Sequence, residues 1–288
     1  PYSGLLSYLA DAALEKDGRI EPRDCETRTF LHDLPDIPDL DPQMAVRVLR
    51  QRKSVIVSKS PEGNGPAIIA HGTVSPEQAF VTVSSVCFAA FVKFFTDLLA
   101  DLKSGTATPA ALALFDATAE NLPDLPNTPP DLARGPFLHE SNIYRAVIEA
   151  GKKTVEYGLV DSYFGNVSCC WNNTLYISQT ASSLDELSGC IDPVPLDSST
   201  SAGLTASSEL SAHLRAIELT GCHTILHGHP KFSVILSMDC DPEQKKECRF
   251  NHLCHIKCPE KRSVCQVPIV PGEVGTGPLG LCNTLPEA

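Results

Sequence analysis

The sequence is short of basic residues, with 23 Lys and Arg against 35 Asp and Glu and a net charge of −12. That balance argues against a nucleic-acid binder, since phosphate contacts need clustered Lys and Arg. Nor is there a run of eighteen uncharged apolar residues. The closest stretch, residues 79–92, is too short for a bilayer and holds Thr82, Ser84 and Ser85. No secretory signal is visible, which leads us to expect a cytoplasmic, non-membrane protein. The twelve cysteines are therefore expected to be reduced thiols or metal ligands rather than a disulfide scaffold. Paired Cys-x-x-Cys spacing is missing too, so the cluster Cys248, His252, Cys254, His255, Cys258 and Cys265 is a weak structural-zinc signal beside the simpler reading of a thiol-rich surface loop.

What is present points to a metal. Thr224-Ile225-Leu226-His227-Gly228-His229-Pro230 reads as a strand ending in a His-x-His clip. Residues i and i+2 of a strand share a face, so His227 and His229 can aim at one ion. The plain alternative is two surface histidines at a turn. Upstream, Ser207-Ser208-Glu209 opens a helix with Leu210, His213, Leu214 and Ile217 on one face, ended by Gly221. Ser207 is the expected cap, and Glu209 falls in the first turn, where the helix dipole favours a carboxylate or a bound anion. His213, on the apolar face, reads as a packed, hydrogen-bonded core histidine. A metal that polarises a carbonyl and a carboxylate that moves a proton are chemically matched parts.

Four linked motifs carry a family resemblance: Gly165-Asn166-Val167-Ser168, Leu175-Tyr176-Ile177-Ser178, Ser207-Ser208-Glu209 with His213, and His227-Gly228-His229-Pro230. In order and spacing they resemble the class II aldolase/adducin family, of the fuculose-phosphate aldolase type, over residues 139–285. The resemblance implies an α/β fold, an α/β/α sandwich around a central, mainly antiparallel sheet. It also implies a homo-oligomer, usually a tetramer, and a divalent ion such as zinc. By the same resemblance, His227 and His229 are metal ligands and Glu209 the catalytic acid/base. Ser207, Ser208, Gly165, Asn166 and Thr180 are the phosphate- and substrate-binding set. The implied reaction is aldol cleavage or formation of a C–C bond beside a carbonyl in a small, phosphorylated sugar or polyol, by way of an enediolate. Epimerases and dehydratases share the metal site, and adducin heads share the fold without catalysis.

The sequence departs from the family in two places. Where the second phosphate loop has Thr-Pro-Ser-Gly, this chain has Ser178-Gln179-Thr180-Ala181, so Ala181 stands at the glycine. And no His-Gly turn follows His229 to supply the third histidine ligand. The comparable turn, His71-Gly72-Thr73, lies earlier, between a short strand at 67–70 and a helix opened by Ser75-Pro76. His71 is the candidate third ligand, with a plain loop histidine as the alternative. A residue of the cysteine-rich insert, or chain beyond residue 288, are the other sources.

Residues 1–136 form an expected N-terminal α+β region with a Pro-rich linker at 121–136, and residues 137–288 the aldolase-like domain, expected to be incomplete at its C-terminal end. Within the first region, Val55-Ile56-Val57 and Ile68-Ile69 read as a hairpin. The stretch with Pro35, Pro38 and Pro42 reads as an extended surface segment. The helix from Ser75 is expected to reach about Lys103 unless Val81–Val86 breaks it.

Overall fold

A computed structural model describes residues 2–59, 63, 65–201, 205–240, 248, 257–258, 260–273 and 276–287. The fold is mixed α/β, and packing divides the chain into two compact units: Pro1–Pro123 with Lys231–His255, and Asp124–Pro230 with Ile256–Ala288. This division differs from a cut at residue 136, because the segment after Pro230 packs with the first unit.

In the first unit, helix α1 (Tyr2–Leu14) lies by a four-stranded sheet ordered β1 (Arg19–Ile20), β2 (Leu34–Asp39), β3 (Ser54–Lys59), β4 (Ala67–Ala70). Strands β3 and β4 form the expected antiparallel hairpin, with Val55 opposite Ile69 and Ile56 opposite Ile68. The Pro35 segment departs from expectation. It is β2, paired parallel to β3, with Leu34 and Ile37 buried. Proline at 35 and 38 does not prevent this, because Asp36 and Ile37 carry the register on β3 while the Asp36 N–H donates to the Gly18 carbonyl. Helix α2 (Cys25–Leu31) precedes β2, and α3 (Pro42–Leu49) joins β2 to β3, burying Ala45 against Ile37, Val55 and Val57.

Helix α4 runs unbroken from Pro76 to Ser104. The β-branched run at 81–86 does not break it: Thr82 and Ser85 bond back to the Gln78 and Val81 carbonyls, and Thr82, Ser85 and Val86 are buried. At its start Gln78 Oε1 accepts the N–H groups of Thr73 and Val74. Gly72 has no room for a Cβ there, since one would lie 2.4 Å from the Ser75 carbonyl oxygen. By length and composition α4 could cross a membrane, yet 61% of its most apolar window is buried in the protein. Phe88, Phe91 and Phe94 are fully buried, and Tyr2, Tyr8 and Phe232 meet this face edge-on. Phe232 lies on α8 (Lys231–Met238), which explains why that segment joins the first unit. Helix α5 (Pro109–Glu120), capped by Thr108, follows α4.

In the second unit, α6 (Glu140–Glu156) leads into an antiparallel sheet ordered β7 (Ile191–Pro195), β6 (Thr174–Ser178), β5 (Gly165–Trp171), β8 (Thr224–Gly228). Asn172 and Asn173, both at positive φ, turn β5 into β6 as a two-residue hairpin. On one face, Tyr144 of α6 meets Tyr176 edge-on, and Glu140 accepts the Tyr176 hydroxyl. On the other, Leu210 and Ile217 of α7 (Leu210–Thr220) pack on Leu175 and Ile177. A hairpin of β9 (Arg262–Val264) and β10 (Val267–Ile269) and a short helix α9 (Leu281–Thr284) complete the unit.

Candidate functional site

Antiparallel pairing brings four chain segments to one end of the second unit's sheet. Strand β5 begins there, while β6 and β8 end there, with Gly165 opposite Gly228 and Asn166 opposite His227. The chain before α7 adds to this end: Gln179 bridges to Ala206, and the Ser207 N–H donates to the Ser178 carbonyl at 3.0 Å. That pairing corrects the expected helix start. Because residues 206 and 207 are held extended against β6, α7 begins at Leu210 and Glu209 is its N-cap residue, without a side-chain cap bond. Ser207 is buried, and its Oγ accepts the Glu209 N–H at 3.3 Å; Ser208 is exposed.

The two glycines are steric requirements. A Cβ on Gly165 would lie 2.5 Å from the His227 carbonyl oxygen, and one on Gly228 would lie 2.6 Å from Val160 Cγ1. Only this close approach lets Asn166 reach His227. The His227 and His229 rings stand 4.9 Å apart between centroids, and the His229 N–H donates to the Phe164 carbonyl. Burial, followed by the neighbouring His229 and His213, pushes the His227 imidazole down to about 3, so it is neutral at pH 7.

Behind His227 lies a buried polar chain. The Asn166 side-chain nitrogen is 3.1 Å from His227 Nδ1, and its oxygen bonds to His213 Nε2. His213 Nδ1 lies 2.7 Å from Ser168 Oγ. His213 is thus a packed, hydrogen-bonded histidine at 2% exposure, as its place on the apolar helix face predicts. Ser168 was not a candidate from sequence; the signal was its i+2 relation to Asn166, which puts both on one strand face.

Burial lowers the His213 pKa to about 4. A histidine depressed in the fold ionises first in the unfolded chain, near pH 6.5, so the unfolded state binds more protons between the two values. Stability contributed by neutral His213 is therefore full above about pH 6.5 and lost as pH falls towards 4, by on the order of 3 kcal/mol. Trp171, the single tryptophan, lies on β5 and reports this unit alone. Denaturant midpoints followed by its fluorescence should fall between pH 7 and pH 4.5, and the fall should be smaller in His213→Gln.

Thr180 donates its hydroxyl to the Ala206 carbonyl at 2.8 Å, and Ala181 sits at φ 60°. The family's glycine is thus replaced at a left-handed position, where a Cβ costs about 1–2 kcal/mol. Ala181→Gly should raise stability by about 0.5–1 kcal/mol, the gain being reduced by glycine's extra unfolded-state entropy. The same Trp171 denaturation assay measures it; a lowered midpoint would contradict it.

His71 directly follows β4 in the first unit, is exposed, and has Nε2 3.3 Å from the Arg52 carbonyl oxygen. Of the cysteine-rich insert, Cys248, Cys258 and Cys265 are present as thiols, while His252, Cys254 and His255 lie outside the described residues. Among the described residues, no set of three or more His, Cys, Asp or Glu side chains is arranged to hold a metal ion. The donor chemistry at the sheet end nonetheless suits a divalent cation: two adjacent imidazoles, one held neutral by burial, supply two ligands.

Residues 145–276 match the Class II Aldolase and Adducin N-terminal domain family, and this part of the chain is a domain of that family. Among solved structures, L-fuculose-1-phosphate aldolase from Thermus thermophilus is similar at 25% identity and a TM-score of 0.31, covering 34% of this chain and 50% of its own. YgbL from Escherichia coli, a proposed aldolase/epimerase/decarboxylase, is similar at 22% identity and a TM-score of 0.32, covering 34% and 49%. Its counterpart from Klebsiella pneumoniae gives 22%, 0.33, 35% and 50%. The chain thus spans about half the length of the solved structures it matches. A search of curated proteins gave no match.

Proposed function

We propose that the second unit is the metal-binding half of a class II aldolase-type lyase acting on a small, phosphorylated sugar or polyol. The observation that carries this reading is the pair His227 and His229, with rings 4.9 Å apart at the sheet end where Asn166 and the start of α7 converge. A divalent ion, zinc by the donor type, would be held by these two imidazoles and would supply Lewis-acid polarisation of the substrate carbonyl. Glu209 takes and returns the proton of the substrate hydroxyl as the C–C bond breaks and forms. Asn166 orients the carbonyl end of the substrate. Gly165, Thr180, Ser207 and Ser208 line the side where the phosphate is held, with the α7 N-terminus favouring its charge. A homotetramer with α/β/α sandwich subunits is part of the same reading.

A second reading is a non-catalytic, adducin-like interaction module. It is favoured by the lack, among the described residues, of a three-ligand set. Zinc titration separates the two. The lyase reading expects one tightly bound zinc per chain and zinc-dependent cleavage of ketose phosphates that stops on chelation. A full-length chain that binds no zinc at that site would establish the module instead.

A further inference from the structure

We propose that His213, with Ser168 and Asn166, is a positioning relay that sets which nitrogen of His227 is offered to a metal, and that the relay inverts when the metal binds. The inference rests on the metal reading of His227.

The four side chains form one line: Ser168 Oγ to His213 Nδ1, His213 Nε2 to the Asn166 oxygen, and the Asn166 nitrogen to His227 Nδ1. Ser168 and His213 are at 0% and 2% exposure and Asn166 at 7%, so water cannot repair a mismatched pair. Every link must therefore match one donor with one acceptor, and the direction of one link dictates the others.

In the arrangement seen here, the Asn166 amide N–H donates to His227 Nδ1. Neutral His227 then carries its proton on Nε2. His213 Nε2–H donates to the Asn166 oxygen, and His213 Nδ1 accepts from the Ser168 hydroxyl. In this state neither nitrogen of His227 is open to a metal, since Nδ1 is bonded to the amide and Nε2 bears hydrogen.

Ligation through Nε2 needs the His227 proton on Nδ1. That N–H would face the Asn166 amide N–H, donor against donor, across a part-buried link whose Asn166 end is at 7% exposure. Turning the amide over removes the conflict, because His227 Nδ1–H then donates to the Asn166 oxygen. The amide N–H now faces His213 Nε2, which must accept, so the His213 proton moves to Nδ1 and donates to Ser168 Oγ. A hydroxyl serves either role, which lets Ser168 end the chain in both states. Each imidazole keeps one proton throughout; only its position changes, and no proton is released. A ligand histidine is commonly oriented by the partner of its other nitrogen. Here that partner is an amide, which can point either way, and His213 decides which.

The full-length chain, labelled with 15N-histidine, tests this by NMR of ring tautomers without and with zinc. The expected result is His213 and His227 both as Nε2–H without zinc, and both as Nδ1–H with zinc bound at His227. A His213 tautomer that stays the same on zinc binding overturns the relay. Two variants provide a second readout. His213→Leu should weaken zinc binding by about 10–100-fold. Asn166→Asp, whose carboxylate only accepts, presets His227 as Nδ1–H. It should bind zinc at least as tightly as the parent and remove the further effect of His213→Leu. An effect of His213→Leu below twofold, or one undiminished when combined with Asn166→Asp, overturns the relay while leaving the metal site standing. A parent chain that binds no zinc overturns the metal reading itself, and the relay with it.

Discussion

His227→Ala is expected to lower zinc affinity by more than about 100-fold, beyond the 10–100-fold cost of losing a hydrogen-bond partner of a ligand. Three consequences of one truncation add up. A half-buried imidazole ligand is removed, leaving His229 as the single member of the pair. The Asn166 amide loses its acceptor at a site of 7% exposure, and an orphaned buried donor costs about 1–3 kcal/mol. And the ring contact between His227 and His229 disappears. Zinc competition against a chromophoric chelator measures the affinity, and Trp171 fluorescence confirms that the sheet is intact. A His227→Ala chain that is folded and retains parental zinc affinity would move the metal site elsewhere.

Gly165→Ala is expected to damage fold and site together, although Gly165 offers no chemistry of its own. The added Cβ would stand 2.5 Å from the His227 carbonyl oxygen and 3.2 Å from the Gly228 Cα, both backbone atoms that cannot swing aside. Edge strand β8 must then shift from β5, and overpacking of this sort costs about 1–3 kcal/mol. The shift falls on the Gly165–Gly228 and Asn166–His227 pairs, so zinc affinity should fall along with the denaturation midpoint. Equal stability and affinity in Gly165→Ala would show that the strand spacing does not set the site. Gly189 provides the contrast: a Cβ there meets nothing within 4 Å, although its φ of 80° makes substitution a matter of local strain rather than of strand spacing.

Much of the second unit was legible because its signals are local. A His-x-His at a strand end, and an apolar helix face of Leu210, His213 and Ile217 ended by Gly221, are dictated by backbone geometry over a few residues. The start of α7 was less legible. Ser207 looks like a cap, yet residues 206 and 207 are held by β6, and a strand about thirty positions earlier leaves no local trace. The Pro35 segment misled for the same reason. Its prolines and acids suggest surface, while burial of Leu34 and Ile37 comes from β3, which lies beyond an intervening helix. Likewise, nothing near Phe232 announces that it packs on Phe91 and Phe95.

The sequence by itself determined the donor types and their local spacing: His227 and His229 on one strand face, Glu209 at a helix start, and membership of residues 145–276 in the aldolase/adducin family. Only the tertiary structure decided that Ser168, His213 and Asn166 line up behind His227. Hydrogen-bond partners separated by 45 and 61 positions are chosen by strand register and helix docking. Once they are buried, the rule that every donor needs an acceptor joins them into one unit.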